Sequence, residues 1–161
     1  MEIIDILISV KCLDSFEEIK DENIIRLCRS AFKSVDHAYA PYSQYKVGAA
    51  VLLNNGKIVE GSNQENAVFP LGLCAERVAI FSSNTTYPKA KIEAIAVVTF
   101  GDLEDGQLPG FPCGSCRQAI IDMEYRHGND IHIYVLDKNK KVYIIQSAKD
   151  LLPFPFDHNA L

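Results

Sequence analysis

Apolar side chains along this chain recur at two spacings, every second residue and every third or fourth, and the changes between them mark out the expected elements. Residues 3–10 alternate Ile4, Ile6, Ile8 and Val10 with Asp5 and Ser9, which predicts an N-terminal strand at a sheet edge. From 22 to 39, Ile24, Leu27, Cys28, Ala31, Phe32 and Val35 fall on one stripe of a helix that stops before Pro41. Strands over 45–53 and 57–62 follow, joined at Asn54-Asn55-Gly56, where an Asn-Gly step accepts the positive φ of a tight hairpin. A helix beginning near Cys74 carries Val78, Ile80 and Phe81, and the apolar run over 92–100 reads as a buried strand. Another helix begins near Cys113 and passes through Ile120 and Met123, and strands over 131–136 and 142–145 end the regular part.

The economical arrangement of these elements is α/β, a central mixed sheet flanked by helices. No repeat, low-complexity tract or linker divides the 161 residues, so 1–161 reads as one domain with 1–21 as an N-terminal extension. A chain of this length buries roughly 70% of its extended surface, enough for one ordinary core. A net charge of -5 argues against a nucleic acid polymer, whose phosphates call for clustered Lys and Arg. The apolar start of the chain carries Glu2 and Asp5 where a leader would carry basic residues, and no spanning run follows. No membrane association and cytoplasmic residence are the expectations.

The five cysteines are an odd number in a chain that has no need of disulfides, so a clustered pair points to metal or catalysis. Pro112-Cys113-Gly114-Ser115-Cys116 places two thiols on one turn at a helix start, where free amide groups favour thiolates. By itself such a pair is equally a structural zinc half-site, a redox pair or neither. Cys74, also at a helix start, supplies a third ligand and leaves a fourth tetrahedral position for water, as in a catalytic zinc site. Glu76 follows two residues later, placed to carry protons without binding the metal. Singly, Glu76 is also a good first-turn acid and Cys74 a good small core residue; together with the Cys-x-x-Cys they resemble the signature of zinc deaminases. Three thiolates need a compensating charge, and Arg77 stands at i+3 from Cys74, where it either donates to the ligand sulfurs or lies on the surface. Cys12 and Cys28 have no such partners in the pattern.

Four motifs in order resemble the cytidine deaminase family, in its short single-domain form, over residues 39–156. They are Pro41-Tyr42-Ser43-Gln44-Tyr45-Lys46-Val47-Gly48-Ala49-Ala50, Gly61-Ser62-Asn63-Gln64-Glu65-Asn66-Ala67, Cys74-Ala75-Glu76-Arg77, and the stretch from Pro112 to Gln118. The resemblance implies a three-layer α/β/α fold with a mixed sheet of about five strands and room for an extra N-terminal edge strand. It implies one zinc per chain on Cys74, Cys113 and Cys116, and hydrolytic deamination of cytidine or deoxycytidine in pyrimidine salvage. Asn63 and Glu65 would bind the ribose, the Ala75 amide the pyrimidine carbonyl, and Glu76 the ring N3 and departing amine. Asn63 and Glu65 stand two apart at a strand end and so face one side, although turn polars are common there too.

Tyr45 stands where the family usually has Phe, so a ring placed near the nucleoside gains a hydroxyl that needs a partner. Leu151-Leu152-Pro153-Phe154-Pro155-Phe156 is similar to the family's C-terminal segment, and by that resemblance Phe156 reaches a neighbouring subunit's base pocket in a homotetramer with shared active sites. The alternative for Phe156 is packing within its own chain. Two rival functions remain in view: an aminonucleoside-antibiotic deaminase, which lacks the Asn-x-Glu pair, and a non-catalytic zinc module, which completes four protein ligands and does not require Glu76.

Overall fold

The computed structural model describes residues 3–100 and 108–156; Glu2, part of the reading of the N-terminus, lies outside them. Six strands form one sheet: β1 (Lys11–Leu13), β2 (Lys46–Leu53), β3 (Ile58–Ser62), β4 (Ile92–Phe100), β5 (His132–Leu136) and β6 (Val142–Ile145), in the order β1-β6-β5-β4-β2-β3. The β4–β5 pair is parallel and the other pairs are antiparallel, so the sheet is mixed as expected. Three helices cover it: α1 (Glu22–Ser34), α2 (Ala75–Thr86) and α3 (Gly114–His127).

Alternation along the strands explains the layers. Ala49, Val51 and Leu53 of β2 point to one face, where Ala79 and Ile80 of α2 and Ile120 and Ile121 of α3 pack. Ala50 and Leu52 point to the other, against Leu27, Cys28 and Ala31 of α1. The central strands are buried on both faces, so they read as apolar runs and not as an alternation. Two glycines let helices approach the sheet closely: a side chain at Gly48 would overlap the Ala31 carbonyl, and one at Gly61 would overlap the backbone of Ala75 and Ala79. Gly61 thereby fixes where the start of α2 sits over β3. Gly56, at φ 76°, turns the predicted hairpin.

Two expectations are corrected. The strand predicted over 3–10 is absent; only Lys11–Leu13 pairs, with Val142–Ile144 of β6, forming the extra edge strand. Just beyond β6 the chain turns away at Ser147, which caps a short helical turn, so that residues 3–10 lack a ladder partner there and lie exposed. The helix predicted to 39 ends at Ser34, followed by a 3₁₀ turn over Val35–His37 that releases Tyr39 to bridge with Gln64. In α2, Ile80 is buried as expected but Phe81 faces outward.

The last turn of α3 is tied to the start of β4 through His127, whose Nδ1 accepts from the Ile92 amide at 3.1 Å. Burial, then the charges of Arg126 and Lys91, lower its pKa from 6.5. Protonation at Nδ1 would break this bond, so the contribution to stability is complete above about pH 6.5 and is lost as the pH falls through the folded-state value. Thermal denaturation of the parent and His127→Ala between pH 7.5 and 5 should converge toward the acid end, on the order of one hydrogen bond, about 1 kcal/mol, separating them at neutral pH. A constant difference across that range would remove His127 as the cause.

Candidate active site

The two thiol-bearing segments meet because α2 and α3 start side by side at one edge of a cavity. Cys74 is the N-cap of α2 and Cys113 the N-cap of α3, both with extended backbone, and Cys116 lies in the first turn of α3. Cys74 Sγ and Cys113 Sγ are 3.8 Å apart, Cys113 Sγ and Cys116 Sγ 3.5 Å, and all three lie within 4.8 Å of one another. Four ligands around zinc with Zn–S near 2.3 Å stand about 3.8 Å apart, so the trio already has the spacing of one tetrahedral face. Cys12 is exposed and Cys28 fully buried, and neither joins the group. Burial pushes the Cys28 thiol up to about 12.

Electrostatics in the trio favour a thiolate at Cys74. The Cys74 thiol is lowered to about 5 by accepting from Cys116 and from Arg77, while Cys116, which keeps the shared proton and is buried, is pushed up. Arg77 Nη2 lies 3.7 Å from Cys74 Sγ, which raises the guanidinium's own pKa. Arg77 Nε is buried with no hydrogen-bond partner, a cation pressed toward a cluster that acquires negative charge. The residues therefore fit a zinc ion: three sulfurs at tetrahedral spacing, two helix N-termini and one guanidinium.

Glu76, only 4% exposed, lines the cavity beside Cys74, and burial raises its carboxyl above the usual range. Ala75, also buried, opens α2, so its amide belongs to the first turn that has no acceptor within the helix. The cavity is about 740 Å³, within the usual range for small-molecule pockets. Asn63, Glu65, Tyr45 and Cys113 line it as well.

The strip carrying Asn63 and Glu65 is held between two neighbours. Tyr39 N donates to Asn63 O and Glu65 N to Tyr39 O, both at 2.9 Å, while Gln64 and Leu73 exchange a pair of bonds at 2.9 Å. This pairing sets Leu73, and so Cys74, next to the strip. Asn63 donates from Nδ2 to Tyr45 O and accepts at Oδ1 from Val47 N, each at 2.9 Å, leaving one N–H and one lone pair for another partner. Glu65 accepts from the amides of Tyr42 and Ser43 and from the Ser43 hydroxyl, which lowers its pKa. The turn at Tyr42 and Ser43 thus orients an acid of the cavity. Phe69, on a short exposed 3₁₀ turn and edge-on to Tyr42, and Thr99 at the end of β4 also line the cavity; nothing in the local pattern marks them.

The extra hydroxyl of Tyr45 lies over Gly110, where any side chain would overlap it, so a glycine makes its room. Phe156 lies elsewhere: it is 62% exposed, does not line its own chain's cavity, and its carbonyl accepts from Gln118 Nε2 at 2.6 Å.

Residues 21–128 match the family described as "Cytidine and deoxycytidylate deaminase zinc-binding region". The chain is 37% identical over 139 residues to a cytidine deaminase of Sporosarcina psychrophila, covering 86% of this chain and 95% of the relative. It is 36% identical over 147 residues to a probable cytidine deaminase of Dictyostelium discoideum, covering 89% and 90%. Its fold matches a crystal structure of cytidine deaminase from Burkholderia pseudomallei with a TM-score of 0.70 at 38% identity, over 82% of this chain and 98% of that one. With the thiol trio, Glu76 and the matched span in agreement, the chain belongs to the cytidine and deoxycytidylate deaminase family.

Proposed function

We propose that this chain, acting as one domain in the cytoplasm, hydrolyses cytidine or deoxycytidine to uridine or deoxyuridine and ammonia, with Cys74, Cys113 and Cys116 holding one zinc. The observation that carries the reading is a buried carboxyl, Glu76, opening onto the same cavity as Cys74 and Cys113, two of the three clustered thiols. A non-catalytic zinc module gives no reason to bury that acid, and among the described residues no fourth ligand joins the trio. Bound there, zinc supplies Lewis acidity that makes water a nucleophile near neutral pH.

The chain's own groups do the rest. Glu76 takes a proton from water as its oxygen adds to C4 of the ring and delivers that proton to N3, then carries the remaining hydroxyl proton to the amine as the C4 carbonyl forms, the C4–N bond breaks and ammonia leaves. The Ala75 amide meets the pyrimidine carbonyl. Asn63, with its free N–H and lone pair, and Glu65 bind the ribose. Arg77 offsets the negative charge of the three thiolates, and the Tyr45 ring closes one side of the base pocket.

The mouth of the cavity is apolar and open, with Tyr42, Phe69 and Leu73 exposed around it. A lid that excludes water strengthens the polar interactions inside, and Phe156, turned away from its own cavity, is free to supply it to another subunit of a homotetramer. A chain ending at Leu152 should show a raised KM for cytidine with unchanged zinc. Mixing Glu76→Gln with Phe156→Ala chains and reassembling them should restore part of the activity both parents lack; verified hybrids without recovery would confine Phe156 to its own chain.

Ammonia release from cytidine, deoxycytidine, cytosine, CMP and blasticidin tests the substrate reading. Turnover should be confined to the two nucleosides, because Asn63 and Glu65 address a sugar and, among the described residues, no basic side chain lines the cavity to address a phosphate. Blasticidin alone being consumed would transfer the site to the antibiotic class, and no release from any of them would leave only a zinc module.

A further inference from the structure

Arg117 stands one helical turn beyond Cys113 and reaches two carbonyls from distant parts of the chain. Its Nε donates to Pro112 O at 2.7 Å and its Nη1 to Leu151 O at 2.8 Å. Both are charge-assisted, and the planar guanidinium holds its donors in a fixed fork, so a shift of one acceptor is felt by the other. Pro112 O belongs to the peptide bond that leads into Cys113. Its direction therefore sets how the chain enters the thiol-bearing turn.

The other end of the fork belongs to a C-terminal strap that α3 grips elsewhere as well. Glu124 accepts from Ser147 Oγ at 2.9 Å and from the Ala148 amide at 3.2 Å, and Gln118 Nε2 donates to Phe156 O. The strap thus runs from the later turns of α3 back to its first, carrying Phe156 at its end. Glu124 and Gln118 touch the strap without touching the thiol-bearing turn in these bonds; Arg117 touches both.

We propose that Arg117 is a positioning residue that makes the Cys113–Cys116 turn and the C-terminal strap one cooperative unit, so that ordering either one favours the other. This rests on the reading that the trio holds zinc, and it extends that reading: metal retention and delivery of the strap become linked, and linkage runs equally in both directions.

The test reads backbone amide exchange over 110–118 and 147–156, together with the rate of zinc loss to an excess of chelator. In Arg117→Ala both segments should exchange faster, and zinc should leave about tenfold faster, the scale of losing charge-assisted bonds. Arg117→Lys, which keeps the charge but not the fork, should fall between the two and covers the case in which the alanine variant fails to fold. Gln118→Ala should loosen only residues near 156. A chain ending at Leu152 keeps the Leu151 acceptor and should hold zinc like the parent, whereas one ending at Asp150 should lose it faster although Arg117 is intact. A merely structural arginine would not show that last effect. Exchange that rises in only one of the two segments in both Arg117 variants, or equal zinc loss from the chains ending at 152 and 150, would overturn the proposal. Ammonia release measured on the parent separates the two readings, since coupled segments without turnover would remove the proposed activity and leave the coupling in place; a parent without zinc would refute the metal reading, and exchange alone would still decide the coupling.

Discussion

Replacing Glu76 with glutamine lowers the deamination rate by about 10²–10⁴ and leaves zinc content and thermal stability close to those of the parent, because the amide keeps the shape of the side chain and cannot shuttle a proton. The site makes this the sharpest single substitution. The carboxyl is buried at the cavity wall, and burial raises its pKa above the ordinary carboxylate value. Binding of cytidine should survive, so the loss belongs in kcat. A glutamine variant turning over cytidine within about threefold of the parent would exclude Glu76 as the proton carrier.

Removing any one thiol of the trio has an effect as large and of another kind. Thiolate zinc sites bind with about 10–16 kcal/mol, so losing one of three ligands should weaken affinity by about 10³-fold or more. Zinc should drop from about one per chain to a small fraction in Cys74→Ala, Cys113→Ala and Cys116→Ala, with activity falling in parallel. Cys12→Ala should change nothing, since that thiol is exposed and remote from the trio. Cys28→Ala should keep the metal while losing stability, because it removes the thiol from a fully buried position on the sheet-facing side of α1. Metal analysis of the five variants decides the ligand set, and unchanged zinc in any of the first three would strike that residue from it.

The trio was legible in the sequence because its chemistry is local: each thiol sits at a helix start, and the spacing of Cys113 and Cys116 is that of one turn. Much of the sheet was legible for the same reason, since 92–100 and the hairpin at Gly56 carry their own signals. What escaped depends on partners far along the chain. The alternation over 3–10 is strand-like, yet among the described residues no strand extends far enough beyond Ile145 to pair with it. Helix α1 gives way to a 3₁₀ turn at Val35, and Tyr39 beyond it bridges to Gln64, a partner far along the chain. The roles of Ser43, Gly110 and Arg117 lie in contacts with Glu65, Tyr45 and Leu151, across 22, 65 and 34 residues, and no periodicity encodes such distances.

The separation of the three thiols along the chain also bears on the order in which they can come together during folding. Cys113 and Cys116 share one turn and can approach each other as soon as α3 nucleates, but Cys74 lies 39 residues before Cys113. Between them runs the whole of β4, which must first lie between β2 and β5. Closing that long loop costs entropy that only the finished sheet offsets. The centre is therefore expected to assemble in two halves, a pair and then a third thiol, so that a chain emerging where zinc is scarce would complete its sheet first and take up metal last.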